Sequence, residues 1–440
     1  MLLKACGALA LLLVLAGCDK LRALSGFELA PAPPPPSVPV AMGPWLIDPL
    51  PGRVTVAWTT LEASLGRVWY GTAEPDRLAM EEGAPVTDHR VVLPSLQPST
   101  QYRYRVEGGH ETAWFTSAPQ PDGEGPIHVV VSGDNRTNDG DHALVARAAA
   151  AERPQLALHT GNMVASARED SLWRVWFEEE RDLLAHAPIV ATVGNHEIAD
   201  TGAAYARFFQ RRDRPTYASL DYGPVHVVVL DSFEMRAGAT PHLGGISDVQ
   251  KAWFEEDLRG VSPDRHVWVL VHQGPFAHPA ESDKRQGNGG SEEVRAAIAA
   301  AHKIHSIEAV FAGHHPFYER GEIDGIRYLV LGGGGAPLEE PDATFPGVQA
   351  AASALSYASV EVCGCHTHGA VKDIAGKVID AFTLADCAKP CSVPFAPQAV
   401  AASSGPAQSA DDSRSSRRRS RKRRKRSLDE GASAAENRDR

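Results

Sequence analysis

The spacing of apolar and polar positions changes along the chain, and each change marks a different class of element. Behind Lys4, an apolar run from Ala5 to Ala16 is too short to span a bilayer and has the shape of an export-signal core. Residues 19–43 contain Pro33-Pro34-Pro35-Pro36, which favours an extended spacer. From Pro44 to Pro119 the period is two, as in Val54, Val56 and Trp58 and then Val68 and Tyr70, with Gly and Pro turns between the runs; this predicts a small β-sandwich. From Ile127 the pattern becomes layered. Short apolar strands at 127–132, 155–160, 188–193, 225–231, 266–271 and 308–311 alternate with helical spacing at 140–152, 169–186, 247–259 and 292–302. Residues 357–384 read as a β-hairpin turning near Ala375-Gly376. After Val393 no apolar period remains, so 394–440 is expected to be disordered.

Charge alters this picture at one end. The chain of 440 residues carries a formal net charge of −11, yet 414–426 holds 10 Lys and Arg and no acid. The rest therefore carries 34 basic against 55 acidic groups, and such an acidic body excludes a general nucleic-acid-binding surface and gives no expectation of sequence-specific binding. Contact with anionic polymers or lipids is left to the tail. A solvated tail or an envelope tether are alternative accounts of that run.

The leader ends in Leu15-Ala16-Gly17-Cys18, which resembles a bacterial lipoprotein signal in which the Cys becomes the lipidated first residue. On this reading 1–18 is the signal, Cys18 is the membrane anchor, and the body is lipid-anchored in the bacterial cell envelope, facing the periplasm or the exterior. An ordinary secretory signal is the alternative. Removing Cys6 and Cys18 leaves Cys363, Cys365, Cys387 and Cys391, an even number suited to disulfides in an oxidising space. A bond inside Cys363-Gly-Cys365 is strained, so pairing is expected between the first two and the last two. Zinc on these cysteines with His366 and His368 is the alternative.

Leu96-Gln97-Pro98-Ser99-Thr100-Gln101-Tyr102-Arg103-Tyr104-Arg105-Val106 resembles the L-x-P-x-T-x-Y-x-Y-x-V stretch of fibronectin type III domains, which implies a sandwich over 44–119 with Tyr102 making its corner hydrogen bond. The chemistry lies further on. Gly133-Asp134-Asn135-Arg136, Gly161-Asn162-Met163-Val164, Gly194-Asn195-His196-Glu197, Val271-His272-Gln273 and Gly313-His314-His315-Pro316-Phe317-Tyr318-Glu319-Arg320 each follow a strand. Asp, Asn and His at strand ends, most of them behind a Gly that lets backbone approach closely, are the inventory for one or two metals.

In that order, these motifs over 127–335 resemble a calcineurin-like metallophosphoesterase, and with the preceding sandwich they resemble its purple acid phosphatase branch. The resemblance implies a four-layer αββα metallophosphoesterase sandwich over 127–393, an α/β fold preceded by the fibronectin type III-like domain. It implies hydrolysis of phosphate esters by a metal-activated water, with Fe, Zn or Mn as the divalent or trivalent ion. Carried over by motif, one metal falls on Asn195, His272 and His314, all present, and His196 takes the place of the catalytic His at the leaving group.

The other metal keeps only Asp134 intact. Asn162 stands where a bridging carboxylate belongs, Arg136 where a His can stand, Ala165 where a Tyr belongs and Pro316 where the last His belongs. Arg and Pro offer a metal nothing, and Asn162 offers a carbonyl oxygen without charge. One tightly bound metal and a second that is weak or absent are therefore expected. In the hydrolase reading Arg136 supplies the charge of the missing ion. In the runner-up reading the chain is an inactive phosphate-binding or adaptor lipoprotein. The loop 276–290 gives no recognisable pocket and reads as mobile, with His278 a candidate within it.

Overall fold

The computed structural model describes residues 38–391, apart from 81–82, 124, 201, 210–214, 235–243, 281–289 and 390. The expectations for Cys18, the proline run and the basic tail fall outside the described residues. The first domain comprises β1 (Val40–Leu50), β2 (Arg53–Ser64), β3 (Arg67–Gly71), β4 (Arg77–Met80), β5 (Val86–Leu93), β6 (Gln101–Val106) and β7 (Ala113–Thr116). These pair as two sheets, ordered β1-β2-β5 and β4-β3-β6-β7. The first strand starts at Val40, inside the stretch read as spacer. Val40 and Met42 pair with Thr60 and Thr59, and Pro44 falls at an irregularity of the register, where a missing N–H costs no ladder bond. Alternation in β6 buries Tyr102, Tyr104 and Val106, and the Tyr102 hydroxyl accepts from Gln97 N at 2.9 Å.

The second domain continues with β8 (Ile127–Ser132), α1 (Asp139–Ala151), β9 (Leu156–His159), α2 (Asp170–Glu179), α3 (Arg181–Leu184) and β10 (Ile189–Ala191). It then runs through α4 (Ala203–Phe209), β11 (Ala218–Tyr222), β12 (Val225–Leu230), α5 (Asp248–Arg259), β13 (His266–Val271), α6 (Glu292–His302) and β14 (Ala309–Ala312). The last strands are β15 (Tyr318–Ile323), β16 (Ile326–Leu331), β17 (Val348–Ala352), β18 (Ser356–Cys363), β19 (His366–Asp373) and β20 (Val378–Ala385). One sheet is ordered β10-β9-β8-β18-β19-β20, the other β11-β12-β13-β14-β16-β15-β17.

Period-two alternation inside wholly buried strands explains the layering. Val129 and Val131 of β8, Val227 and Val229 of β12, and Trp268 and Leu270 of β13 meet in the core between the sheets. Their neighbours turn outward: Val130 packs under α1 with Val145 and Ala149, while Val228, Val267 and Val269 pack under α5 and α6 with Phe254, Leu258, Val294 and Ile298. Two sheets with helices on both outer faces make the expected four layers. Serine hydroxyls start the outer helices, Ser247 Oγ accepting from Gln250 N and Ser291 Oγ from Val294 N.

Two local expectations change. The stretch 169–186 is two helices, α2 and α3, which meet at buried Glu180. The expected hairpin at 357–384 is the three-stranded meander β18-β19-β20, whose first strand pairs with β8 and whose extra turn falls at Gly364, with a φ of 57°. Disulfides Cys363–Cys391 and Cys365–Cys387, with Cα separations of 5.7 and 6.0 Å, tie that turn to the chain after β20. Both bonds join the first pair to the second, so the cysteines are not zinc ligands.

The sandwich docks on α4. The last carbonyls of a helix lack partners within it, and here donors from the other domain meet them. Arg90 Nη2 donates to Ala206 O and Arg207 O at 3.2 and 2.6 Å, and Trp45 Nε1 donates to Phe208 O at 3.0 Å. A salt bridge from Arg207 to Asp88, at 2.9 Å, secures the same helix.

Candidate metal centre

All five motifs leave the C-terminal ends of parallel strands: Asp134 follows β8, Asn162 follows β9, Asn195 and His196 follow β10, His272 follows β13 and His314 follows β14. The two sheets thus bring them to one edge, where open sheets place ligands. Asp134, Asn162 and His314 have left-handed backbones, with φ of 56°, 59° and 74°. Such conformations cost on the order of 1 kcal/mol or more apiece in non-glycine residues and cluster at functional sites. The glycines are required by proximity. A Cβ on Gly194 would lie 2.4 Å from Asn162 Oδ1, and one on Gly313 would lie 2.6 Å from Asp134 Oδ2.

In one half of the site three lone-pair atoms converge. Asn195 Oδ1 lies 3.1 Å from His272 Nε2 and 3.3 Å from His314 Nδ1. His272 Nδ1 donates to Thr160 O at 2.6 Å, which places the ring's lone pair on Nε2, facing the amide oxygen. Burial first, then the charge of neighbouring His314, holds His272 well below its ordinary range; burial with the charges of His315, Arg136 and His196 takes His314 down to about 3. Two neutral imidazoles and an amide oxygen aimed at one point fit a divalent or trivalent ion. Phe233 lies against both rings, with centroids 5.6 and 6.2 Å away.

The other half is closed by hydrogen bonds. Asp134 accepts from Asn162 Nδ2 at Oδ1, 2.9 Å, and from His314 N at Oδ2, 2.7 Å. Asn162 Oδ1 in turn accepts from His196 N at 3.1 Å. Burial raises the Asp134 carboxyl to about 7, against the Asn162 bond and the Arg136 charge, which favour the anion. The charge of Arg136 acts on Asp134, His196, His272 and His314 alike. Its Nε is buried without a hydrogen-bond partner among the described residues. Asp134 thus carries one donor on each oxygen beside a fixed cation, a poorer setting for a second metal than a pair of carboxylates.

His196 donates from Nδ1 to Ala165 O at 2.7 Å, leaving its Nε2 lone pair toward the remaining space. Glu197 is buried and receives Asn162 N and Gly194 N, both at 2.8 Å, and Met163 N at 2.9 Å, so it clamps two motif loops together; burial raises its carboxyl to about 6. The Gly332–Gly335 loop buttresses the first motif through Gly334 N to Gly133 O and Ala336 N to Asp134 O. His278 is buried, its Nδ1 2.8 Å from Glu319 Oε1, where the sequence suggested a mobile candidate. Thr160 and Phe233 had no signal in the sequence: one acts through its carbonyl, the other through an apolar ring outside every motif.

Residues 127–318 match the family model described as calcineurin-like phosphoesterase. A phosphoenolpyruvate phosphatase of Allium cepa is 25% identical over 67% of this chain and 65% of its own length. A purple acid phosphatase of Glycine max is 24% identical over 66% of this chain and 67% of its length. The chain thus spans about two thirds of the length of these relatives. Among solved structures, a purple acid phosphatase from yellow lupin (Lupinus luteus) seeds superposes with a TM-score of 0.66 at 18% identity, covering 79% of this chain and 74% of its own. A PhoD structure does so with a TM-score of 0.63 at 14% identity, covering 80% and 90%. The match to the calcineurin-like phosphoesterase family thus lies over residues 127–318, and purple acid phosphatases are among the chain's relatives and structural neighbours.

Proposed function

We propose that the chain hydrolyses phosphate esters at a centre with one resident metal, held by Asn195, His272 and His314. The observation that carries this reading is the convergence of Asn195 Oδ1, His272 Nε2 and His314 Nδ1, with the His272 tautomer fixed by Thr160 O. Bound there, the ion supplies Lewis acidity to a phosphoryl oxygen and lowers the pKa of a water. Arg136 offers a buried, unpartnered N–H and a fixed charge to the phosphate oxygens. His196, its Nδ1 engaged by Ala165 O, presents Nε2 to the leaving group. Asp134 orients His314 through the backbone bond at 2.7 Å. Aryl phosphate assays on the purified body test this reading: hydrolysis that disappears in His272→Ala supports it.

The closed half of the site favours a second reading, in which Arg136 and the strand-end N–H groups bind a phosphate ligand without turnover and the chain is an adaptor. Phosphate binding by a protein that hydrolyses no ester would select it. We further infer a lipid anchor at Cys18 in the bacterial envelope, supported by the Leu15-Ala16-Gly17 leader. Replacing Cys18 with Ser should release the protein from membranes or block processing. The basic run at 414–426 adds a salt-sensitive contact to anionic lipids or polymers, tested by vesicle binding with and without 394–440.

A further inference from the structure

We propose that His366, His368 and Asp386 form a second metal site, for a borderline divalent ion such as Zn2+, on the surface of the C-terminal meander. The site is separate from the strand-end centre and does not depend on the hydrolase reading. His366 and His368 stand two apart on β19 and so project from the same face of the strand. Their rings stack with centroids 6.1 Å apart. Asp386 Oδ1 lies 2.7 Å from His366 Nδ1, and the ligand atoms of all three side chains fall within 4.8 Å of one another.

Two features raise this above a chance surface cluster. His366 Nε2 lies 2.6 Å from Lys389 O and Nδ1 lies 2.7 Å from the Asp386 carboxylate, so both ring nitrogens face acceptors. With Nε2–H donated to the carbonyl, the lone pair of a neutral ring meets a carboxylate oxygen. A proton on Nδ1 would join the ring to the carboxylate as an ion pair; a metal cation takes that proton's place, and the carboxylate becomes its second ligand. The scaffold is also covalently fixed: His366 follows Cys365, Asp386 precedes Cys387, and those two cysteines are joined. The disulfide thus sets the ligands' spacing before any metal arrives, which reduces the ordering cost of binding. Two imidazoles and one carboxylate suit zinc and leave a fourth position open to solvent or an outside ligand. Occupied, the site adds a tie between Asp386 and β19 beside the two disulfides.

The test is titration of metal-stripped, full-length protein with Zn2+ at pH 7.5, followed by calorimetry, with both disulfides verified by unreduced mass. The parent should bind two equivalents. His272→Ala should retain one of them, as should His366→Ala/His368→Ala, and the triple variant should bind none. Asp386→Asn, an exposed change that leaves the fold intact, should weaken the surface equivalent at least ten-fold. Two equivalents in the His366→Ala/His368→Ala variant, or none left in His272→Ala, would overturn the proposal.

Discussion

Asn162 donates its side-chain amide to Asp134 at 2.9 Å, and this bond closes the half of the site where the purple acid phosphatase pattern has a bridging carboxylate. An amide can satisfy a neighbouring carboxylate as a second carboxylate cannot. On the one-metal reading, Asn162 stabilises a metal-free half-site and brings none of the charge that would draw an ion in. Here the departure from the family pattern and the hydrogen-bond pattern have one cause.

Restoring the carboxylate should expose that trade. Asn162→Asp replaces a donor with a like charge beside buried Asp134, so the metal-free variant should lose about 1–3 kcal/mol of stability. Added Zn2+ or Mn2+ should raise its Tm by more than it raises the parent's, and further when Pro316→His supplies an imidazole. Thermal melts with and without metal check this; equal metal shifts in parent and variant would argue against it.

The buried histidines predict a pH dependence. His314 is taken down from its ordinary 6.5 to about 3, and His272 moves in the same direction, so the folded state holds these rings neutral where the unfolded chain protonates them. A depressed folded value gives stability that is present above 6.5 and lost as pH falls toward 3. These two rings should therefore lower the melting temperature of metal-free protein as pH drops through this window, against the opposite contribution of the raised Asp134 and Glu197 carboxyls, and His272→Ala should reduce the drop. Metal should stay bound at pH 5, where ordinary histidines would release it. Dialysis against buffers from pH 7 to 5, followed by metal analysis, measures the second effect.

The sandwich should influence the site through α4. Arg90 caps Ala206 O and Arg207 O on the helix that follows His196 and Glu197 in sequence. Arg90→Ala removes charge-assisted bonds from these terminal carbonyls and should cost about 1–3 kcal/mol. Hydrogen exchange should rise in Ala203–Phe209 before it rises in β8 or β13. Uniform acceleration across both domains would instead indicate a global loss of stability.

Much of this architecture was legible in the sequence because its signals are local. Short runs dominated by apolar residues, such as 127–132 and 266–271, read as buried strands, and the helical spacing at 247–259 and 292–302 located α5 and α6. Less legible was what depends on distant partners. β15 to β17 are short, and β15 carries the polar Tyr318-Glu319-Arg320, of which Tyr318 and Arg320 donate to Asp380 of β20. The turn at Gly364 that splits the meander into three strands lies between Cys363 and Cys365, and β18 finds its other partner, β8, far away in the chain. Within the site, motif spacing identified Asn195, His272 and His314. It could not show that Asp134 has both oxygens occupied, that Thr160 sets a tautomer, or that Glu197 binds three backbone amides.

Whether one metal resides on Asn195, His272 and His314 is decided by metal counting at the strand-end centre. Elemental analysis should be made on the His366→Ala/His368→Ala protein, so that the surface site does not contribute. About one Fe, Zn or Mn per chain should be found, falling to none when His272→Ala is added. Two tightly held metals in that protein, or one that survives the loss of His272, would contradict the one-metal reading.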